Sequence, residues 1–324
     1  MSRSRHDRFP RHDDARRARL RAATLDLEAQ WQSTDGLPGG LDAAIDAVAD
    51  ASPEIAIAVL MPWLSDTGWL RERLAAATGL LAADPFARPP LRPVGGGEGA
   101  GGLILAERGA IRLSLQLHPA GTPSSTAGLF IPGRSAFRIL ADGGAAVCFH
   151  DVAVSADEEA GVFTTAGAAR CRTGPSRALV DGECWILDTA REAFTLSGAT
   201  RDILILELSA QPPSLLPIRS YDSASGRLLH VSTSRRDGSF CQMALTLLRM
   251  FGRTDAAPLF VSATGTGDFA ARWLALRDLI ALDAAAAYPC VVRMAEDDPH
   301  PEVRHAAKAT LALYDRKEIP ACLT

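Results

Sequence analysis

The chain has 324 residues, of which 47% are hydrophobic and 22% charged, and a formal net charge of −4. That composition suits a globular chain with two or three cores, and the charge gives no global reason to expect a nucleic-acid or membrane partner. No apolar run approaches the roughly 18 residues that a bilayer span needs.

The first stretch, MSRSRHDRFPRHDDARRARLR, is rich in arginine and has no apolar centre. It reads as a solvated arm leading into a helix, not as a secretory leader. Leu20, Ala23 and Leu27 predict a helix over 14–30, which STDGLPGG ends. Ser52-Pro53-Glu54 supplies an N-cap and a first-turn proline for another helix. Asp66-Thr67 starts one more, through Leu70, Leu74 and Leu81, until Asp84-Pro85 stops it. We therefore expect a helical region over 1–90 and a Pro/Gly-rich linker over 91–102 (LRPVGGGEGAGG). That glycine run lacks the Lys-Ser/Thr ending of a phosphate-binding loop. GxSxG and HExxH are absent from the sequence as well.

From 103 to 215 the pattern changes to short aliphatic runs: LILAE, AIRLSLQL, AFRIL, AAVCFHDVAV, CWILD and DILILEL. Gly, Pro, Asp and Ser punctuate them, which is the spacing of an all-β sandwich or barrel. In IRLSLQLH the odd positions 111, 113, 115 and 117 are apolar and share one strand face. By that parity His118 is expected to point away from the barrel interior.

Residues 216–324 are expected to be helical after a bridging stretch with short extended pieces around SASG. FCQMALTLLRMF puts Phe240, Met243, Ala244, Leu247 and Leu248 on one apolar stripe. The six cysteines, at 148, 171, 184, 241, 290 and 322, form no CxxC pair. That argues against a structural zinc site and fits a reducing cytoplasm.

Two family resemblances add to this reading. The segment DDPHPEVRHAAKATLALY, with Asp298, Pro299, Pro301, Val303, Arg304, Ala306, Ala307 and Leu311, resembles a HEAT-type repeat. Its turn aspartate can accept from helix-start amides, and the motif's arginine, Arg304, can pair with a neighbouring turn aspartate. The resemblance implies a helical hairpin or small bundle over 272–316. It implies a protein or peptide partner too, with Asp298, His300 and Arg304 at the contact.

Residues 103–210 resemble a cupin, a double-stranded β-helix. Val180-Asp181-Gly182-Glu183 matches the turn of the second cupin motif, and Trp185, Ile186, Leu187 and Asp188 match its strand. Where the resemblance implies a metal-binding histidine, the chain has Glu192, Ala193 and Phe194. The segment is also similar to the C-terminal half of the aspartyl/asparaginyl hydroxylases, with Ala193 at the ligand position. The first motif's His-x-His has no counterpart in SLQLHPAGTPSSTAGLFIPGRSAFRILADGG.

The expectation is thus an α+β chain: N-terminal helices, a cupin-like β-barrel without its usual metal ligands, and a C-terminal HEAT-like bundle. It would bind or scaffold a protein, a peptide or a small anionic ligand, with no cofactor. Arg134, Arg138, Arg172 and Arg191 are the candidates for the anion, because guanidinium forks suit carboxylates. The alternative is a divergent metal-dependent oxygenase or isomerase. It would hold mononuclear Fe, Mn or Ni through His118, His150 and Asp188.

Overall fold

Four helices lead the described chain: α1 (Asp14–Asp35), α2 (Leu41–Asp46), α3 (Pro53–Ser65) and α4 (Gly68–Ala83). The Ser52 hydroxyl caps α3 by accepting from the Ile55 amide, and Pro53 fills the first turn, where a missing N–H costs nothing. Strands follow: β1 (Arg92–Gly95), β2 (Gly101–Arg108), β3 (Ile111–His118), β4 (Ala127–Phe130), β5 (Arg134–Ala141) and β6 (Ala146–Asp151). Next come β7 (Arg172–Thr173), β8 (Arg177–Ala178), β9 (Cys184–Asp188), β10 (Glu192–Ser197), β11 (Ile203–Ala210), β12 (Ile218–Asp222) and β13 (Leu228–Ser232). Five helices close the chain: α5 (Arg236–Met250), α6 (Ala257–Ala263), α7 (Phe269–Leu282), α8 (Ala284–Asp297) and α9 (Pro301–Lys317). This is a computed structural model, and it describes residues 14–95, 101–234 and 236–317. Residues 1–13 of the arginine-rich arm, residues 96–100 of the glycine run and Cys322 lie outside the described residues.

All strand pairing is antiparallel. One sheet has the order β1-β2-β3-β11-β5-β9, and a second has β10-β6-β7 with β8 also on β6. A third, β13-β12-β4, continues the second layer, because β4 lies beside β10. The chain crosses between layers at each step from β3 to β6, and again from β9 to β11. That winding is the double-stranded β-helix.

The wall formed by β3, β11 and β5 is apolar on its outer side. Ile111, Leu113, Leu115, Ala136, Leu206, Leu208 and Ala210 pack there against Leu41, Ile45, Ile57, Leu60, Leu64 and Leu70 of the N-terminal helical region. The inner core between the layers holds Phe137, Ile139, Val147, Leu187, Ile203 and Ile205, with Phe149, Trp185, Phe194 and Leu196. The C-terminal helices have a core of their own, centred on Phe260, Leu276, Leu279, Val291, Met294, Val303 and Ala307. Asp268 and Asp283 cap α7 and α8 through the Ala271 and Ala286 amides, at 2.8 and 2.9 Å.

Two expected boundaries shift. Much of the 91–102 linker is strand: Arg92–Gly95 pairs in register with Gly101–Ile104 at the edge of the first sheet. Pro93 and the glycines hide that strand from a periodicity reading, yet Gly102 serves it, since a Cβ there would come within 2.4 Å of the Leu115 carbonyl oxygen. The β-layer also runs on to Ser232 through β12 and β13, beyond the expected start of the helical region at 216.

Candidate functional site

The barrel interior has two halves. In one, the rings of Phe137, Phe149, Trp185 and Phe194 fill the space, with neighbouring centroids between 5.0 and 6.4 Å. Phe194 stands where the cupin resemblance implies a histidine, and it points into this aromatic cluster. Its neighbour Ala193 faces the other way, into a cluster with Phe130, Val152 and Tyr221.

The other half is polar. Arg112, Ser114, Gln116 and His118 alternate along β3, so they share one face. The register places Ser114 opposite Glu207 and Gln116 opposite Ile205 of the inner core. This face therefore looks into the barrel, which corrects the parity reading: the apolar face of β3 is outside, under helices, and His118 is inside. A cavity of about 190 Å³ opens there, lined by these four side chains, Glu207, Val94, Leu115, Gly101 and Gly102. A second, of about 90 Å³, lies beyond Glu207 and is lined by Ser135, Thr189, Glu192 and Gln211 among others.

Glu207 sits between the two cavities. Its carboxylate accepts from Gln116 Nε2. Burial pushes its pKa above the ordinary value of 4.5; the Ser135 hydroxyl, the Arg112 guanidinium and Gln116 oppose that shift. His118 Nε2 lies 3.4 Å from Gln116 Oε1, and burial holds its pKa below the ordinary imidazole value. At the other end of the row Arg112 Nε donates to Glu107 Oε1 at 2.9 Å, and Arg92 donates to the second oxygen of the same carboxylate.

The residues proposed to hold a metal do not meet. His118 is inside the barrel. His150 shares a face with its register partner Ala193, on the outer side of the second layer. Both its ring nitrogens are engaged, Nδ1 with Thr173 Oγ1 at 3.0 Å and Nε2 with Thr195 Oγ1 at 2.9 Å. Asp188 alternates with the inward Leu187 and lies outward, 3.0 Å from Arg191 Nη1. Among the described residues no three His, Cys, Asp or Glu side chains come together as metal ligands would. His118, His150 and Asp188 therefore do not form the donor set that Fe, Mn or Ni requires.

The four arginines named for an anion are likewise spread apart. Arg134 pairs with Glu54 at 2.7 Å, Arg172 with Asp151 at 2.6 Å, and Arg191 with Glu159 at 2.8 Å as well as Asp188. Arg138 stands across from Cys184, where its charge counters the burial that raises that thiol's pKa. None of the four lines either cavity. The arginine that does is Arg112. Its signal was present in IRLSLQLH, a strand whose alternate positions are all polar, and the signal for Glu207 was a single charge inside DILILELS.

The HEAT-like turn is occupied by an internal contact. Arg272 holds Asp298 through two bonds, at 3.0 and 2.8 Å, and the Asp298 side chain is 3% exposed. Asp298 accepts from the His300 amide at 2.8 Å. The His300 ring is stacked on Phe269, centroids 4.0 Å apart, and Nε2 bonds the Phe163 carbonyl of the β-domain. Arg304 donates to the Asp298 and Pro299 carbonyls. Glu302 accepts from the Thr165 amide at 2.6 Å. Asp298 and His300, expected at a partner surface, are buried instead: Asp298 ties the turn to α7 and His300 fastens the helical unit to the barrel, so neither is available to a second molecule.

An exposed surface lies on α5. Its inner side carries Leu245 and is anchored by polar groups: Asp278 of α7 accepts from Thr246 at 3.0 Å and pairs with Arg249 at 2.8 Å. Its apolar side faces outward. Phe240 is 68% exposed, Met243 54%, Leu247 44%, Met250 69% and the following Phe251 75%. Of the expected stripe only Leu248, with Leu245, turns toward the core.

These features define the class: a cupin-like double-stranded β-helix flanked by N-terminal helices and carrying a HEAT-type helical unit. A family model described as HEAT repeats matches residues 228–312. Among solved structures, the chain is similar to a cupin superfamily protein from Desulfitobacterium hafniense DCB-2, at 14% identity over 36% of this chain and 82% of that one, with a TM-score of 0.23. A cupin domain from Bordetella pertussis Tohama I shares 8% identity over 35% and 94% of the two chains, with a TM-score of 0.23. A sugar phosphate isomerase of the cupin superfamily from Silicibacter pomeroyi DSS-3 shares 14% over 46% and 90%, with a TM-score of 0.28. Such slight likenesses leave the strand order as the definition of the barrel. No curated protein matches the sequence.

Proposed function

We propose that this chain is a non-catalytic binding or scaffold protein that receives a protein or peptide partner on the outward face of α5. The observation that carries the reading is the row Phe240, Met243, Leu247 and Met250, exposed along one side of α5, with Phe251 exposed just beyond its end. A contiguous apolar patch of large side chains on a folded surface marks a contact site, and Met and Phe are the residue types that interfaces favour. Spacing of three and four residues suits an amphipathic partner helix. The HEAT-type match over 228–312 supports the same face, since α5 lies within it. The barrel supports the non-catalytic side of the reading through its residues: Phe194 and Ala193 take the ligand positions, and the remaining candidates are divided between its two surfaces.

The test uses the full chain with Met243→Glu and Met250→Glu together. A partner co-purified from the native host is identified and reconstituted from purified components. We expect binding to the unsubstituted chain and at least a tenfold loss for the double variant, since burying one uncompensated carboxylate costs about 1–3 kcal/mol or more. Equal binding by the variant would sink the proposal.

A further inference from the structure

The exposed row on α5 is symmetric along the helix. Phe240 and Met250 stand five residues either side of position 245, and Met243 and Leu247 stand two residues either side of it. At 3.6 residues per turn all four fall on one face. Leu245 itself is on the opposite side, buried in the helical core. The row therefore presents large apolar side chains at the same steps whichever way the helix is run. Such a face is complementary to itself when a second copy lies across it in the reverse direction. Phe240 then meets Met250 of the second copy and Met243 meets its Leu247. Each contact occurs twice, as isologous two-fold pairing requires.

We propose that the partner received by α5 is a second copy of this chain, with the two α5 helices packed antiparallel about a two-fold axis level with residue 245. This rests on the reading of α5 as a contact face and names its occupant. Charge supports the choice. Between Phe240 and Phe251 the one charged side chain is Arg249, and it turns inward to Asp278 at 2.8 Å. An acidic or basic helix would bury charges that this row cannot match, which is costly. A second α5 brings the same uncharged row. Area supports it as well. Complete burial of an aromatic side chain removes about 150–250 Å² from water. The row and Phe251 are 44–75% exposed, so two copies together bury on the order of 1,000 Å². That is just under the roughly 1,200–2,000 Å² of stable specific interfaces. The pairing is therefore reversible, with a dissociation constant on the order of 10 μM. It needs no rearrangement of the helix, because Leu245, Leu248 and Asp278 already hold α5 to its own chain.

The experiment is sedimentation velocity with light-scattering mass on the full chain, over concentrations that bracket that constant. The mass is expected to rise from one chain toward two. Met243→Glu and Leu247→Lys should each weaken pairing about tenfold or more, since each buries an unmatched charge. Circular dichroism and melting at low concentration should match the unsubstituted chain. The combined variant carries the sharper test. In the antiparallel pairing the introduced carboxylate of each copy faces the introduced ammonium of the other. Pairing should recover roughly fivefold relative to either single variant, and lose that gain in about 1 M salt. A parallel pairing would set like charges together and recover nothing. A mass of one chain at every concentration would overturn this inference alone and leave α5 to a different partner. A two-chain mass that Met243→Glu does not reduce would overturn both it and the reading of α5. A combined variant that pairs no better than the single ones would rule out the antiparallel contact, and the proposal with it.

Discussion

The two helical regions that flank the barrel use their apolar surface in opposite ways. Helices α2, α3 and α4 have no separate core: Leu41, Ile57, Leu60 and Leu70 are buried against the outer wall of the barrel. The α5–α9 unit has its own core, meets the β-domain where Phe269 packs on Phe163 and Leu216 and where His300 and Glu302 bond, and leaves the apolar side of α5 uncovered. The first region completes a fold and the second presents a surface. Helical periodicity is the same in both; the difference lies in what each helix finds opposite its apolar side.

The comparison can be broken at several points. The largest effect is expected from Arg272→Ala, which strands the buried Asp298 carboxylate without its cation. Removing one partner of a buried pair costs about 3–5 kcal/mol, and urea unfolding should show the C-terminal unit melting ahead of the rest. Leu60→Ala, at a site 1% exposed, is expected to cost about 3 kcal/mol. There the N-terminal helices and the barrel should unfold together in one transition, because they share a core. Two separated transitions in Leu60→Ala would show that the first region is less integral than the packing says.

A pH series on Glu207→Gln gives a smaller effect. The folded pKa of Glu207 is raised above 4.5 by burial, so the unsubstituted chain loses stability as pH climbs from that value through the folded one. The Gln variant does not titrate. Its stability relative to the unsubstituted chain should rise across that window and level off above it. Ser52→Ala removes the α3 cap and is expected to cost about 1 kcal/mol. Met243→Glu comes last: at an exposed position it should change stability by less than about 0.5 kcal/mol. A loss well beyond that would mean the α5 face is held by the chain itself and is not free for a partner.

The sequence carried the elements better than their orientation. The runs that became β3, β5, β9 and β11 were legible because their alternation matches a half-buried strand. The motif's arginine, Arg304, was expected to pair with a turn aspartate; it donates to the Asp298 and Pro299 carbonyls instead, and the cation on Asp298 is Arg272, which the motif did not mark. The strand β1 was hidden because Pro93 and its neighbouring glycines read as spacer. The side of β3 that faces the barrel was not legible at all. An alternating strand has one apolar face, and nothing within it says whether that face meets the second β-layer or a covering helix. The stripe on α5 raised the same ambiguity: its spacing does not say what it faces, and Asp278 draws the polar side of the helix inward. The cavity residues were visible one by one, yet Arg112 and Glu207 are 95 residues apart in sequence, and only the β3–β11 pairing brings them together.

The wall made by β3 and β11 has a consequence for how the chain reaches its native state. One side of the pair is leucine-rich and the other carries Arg112, Gln116 and Glu207, so a slip of one residue in either strand exchanges the two sides. Charged groups would then enter the leucine layer while leucines lined the cavity. Both layers reject that error, and they do so before any ligand or partner is present. The bulges between Ile104 and Ala106 of β2 and between Leu204 and Ile205 against β5 take up the irregularity at the neighbouring pairings. The β3–β11 ladder between them runs without interruption from Ile111 to His118, so its register is fixed along its whole length by the contrast between its two sides.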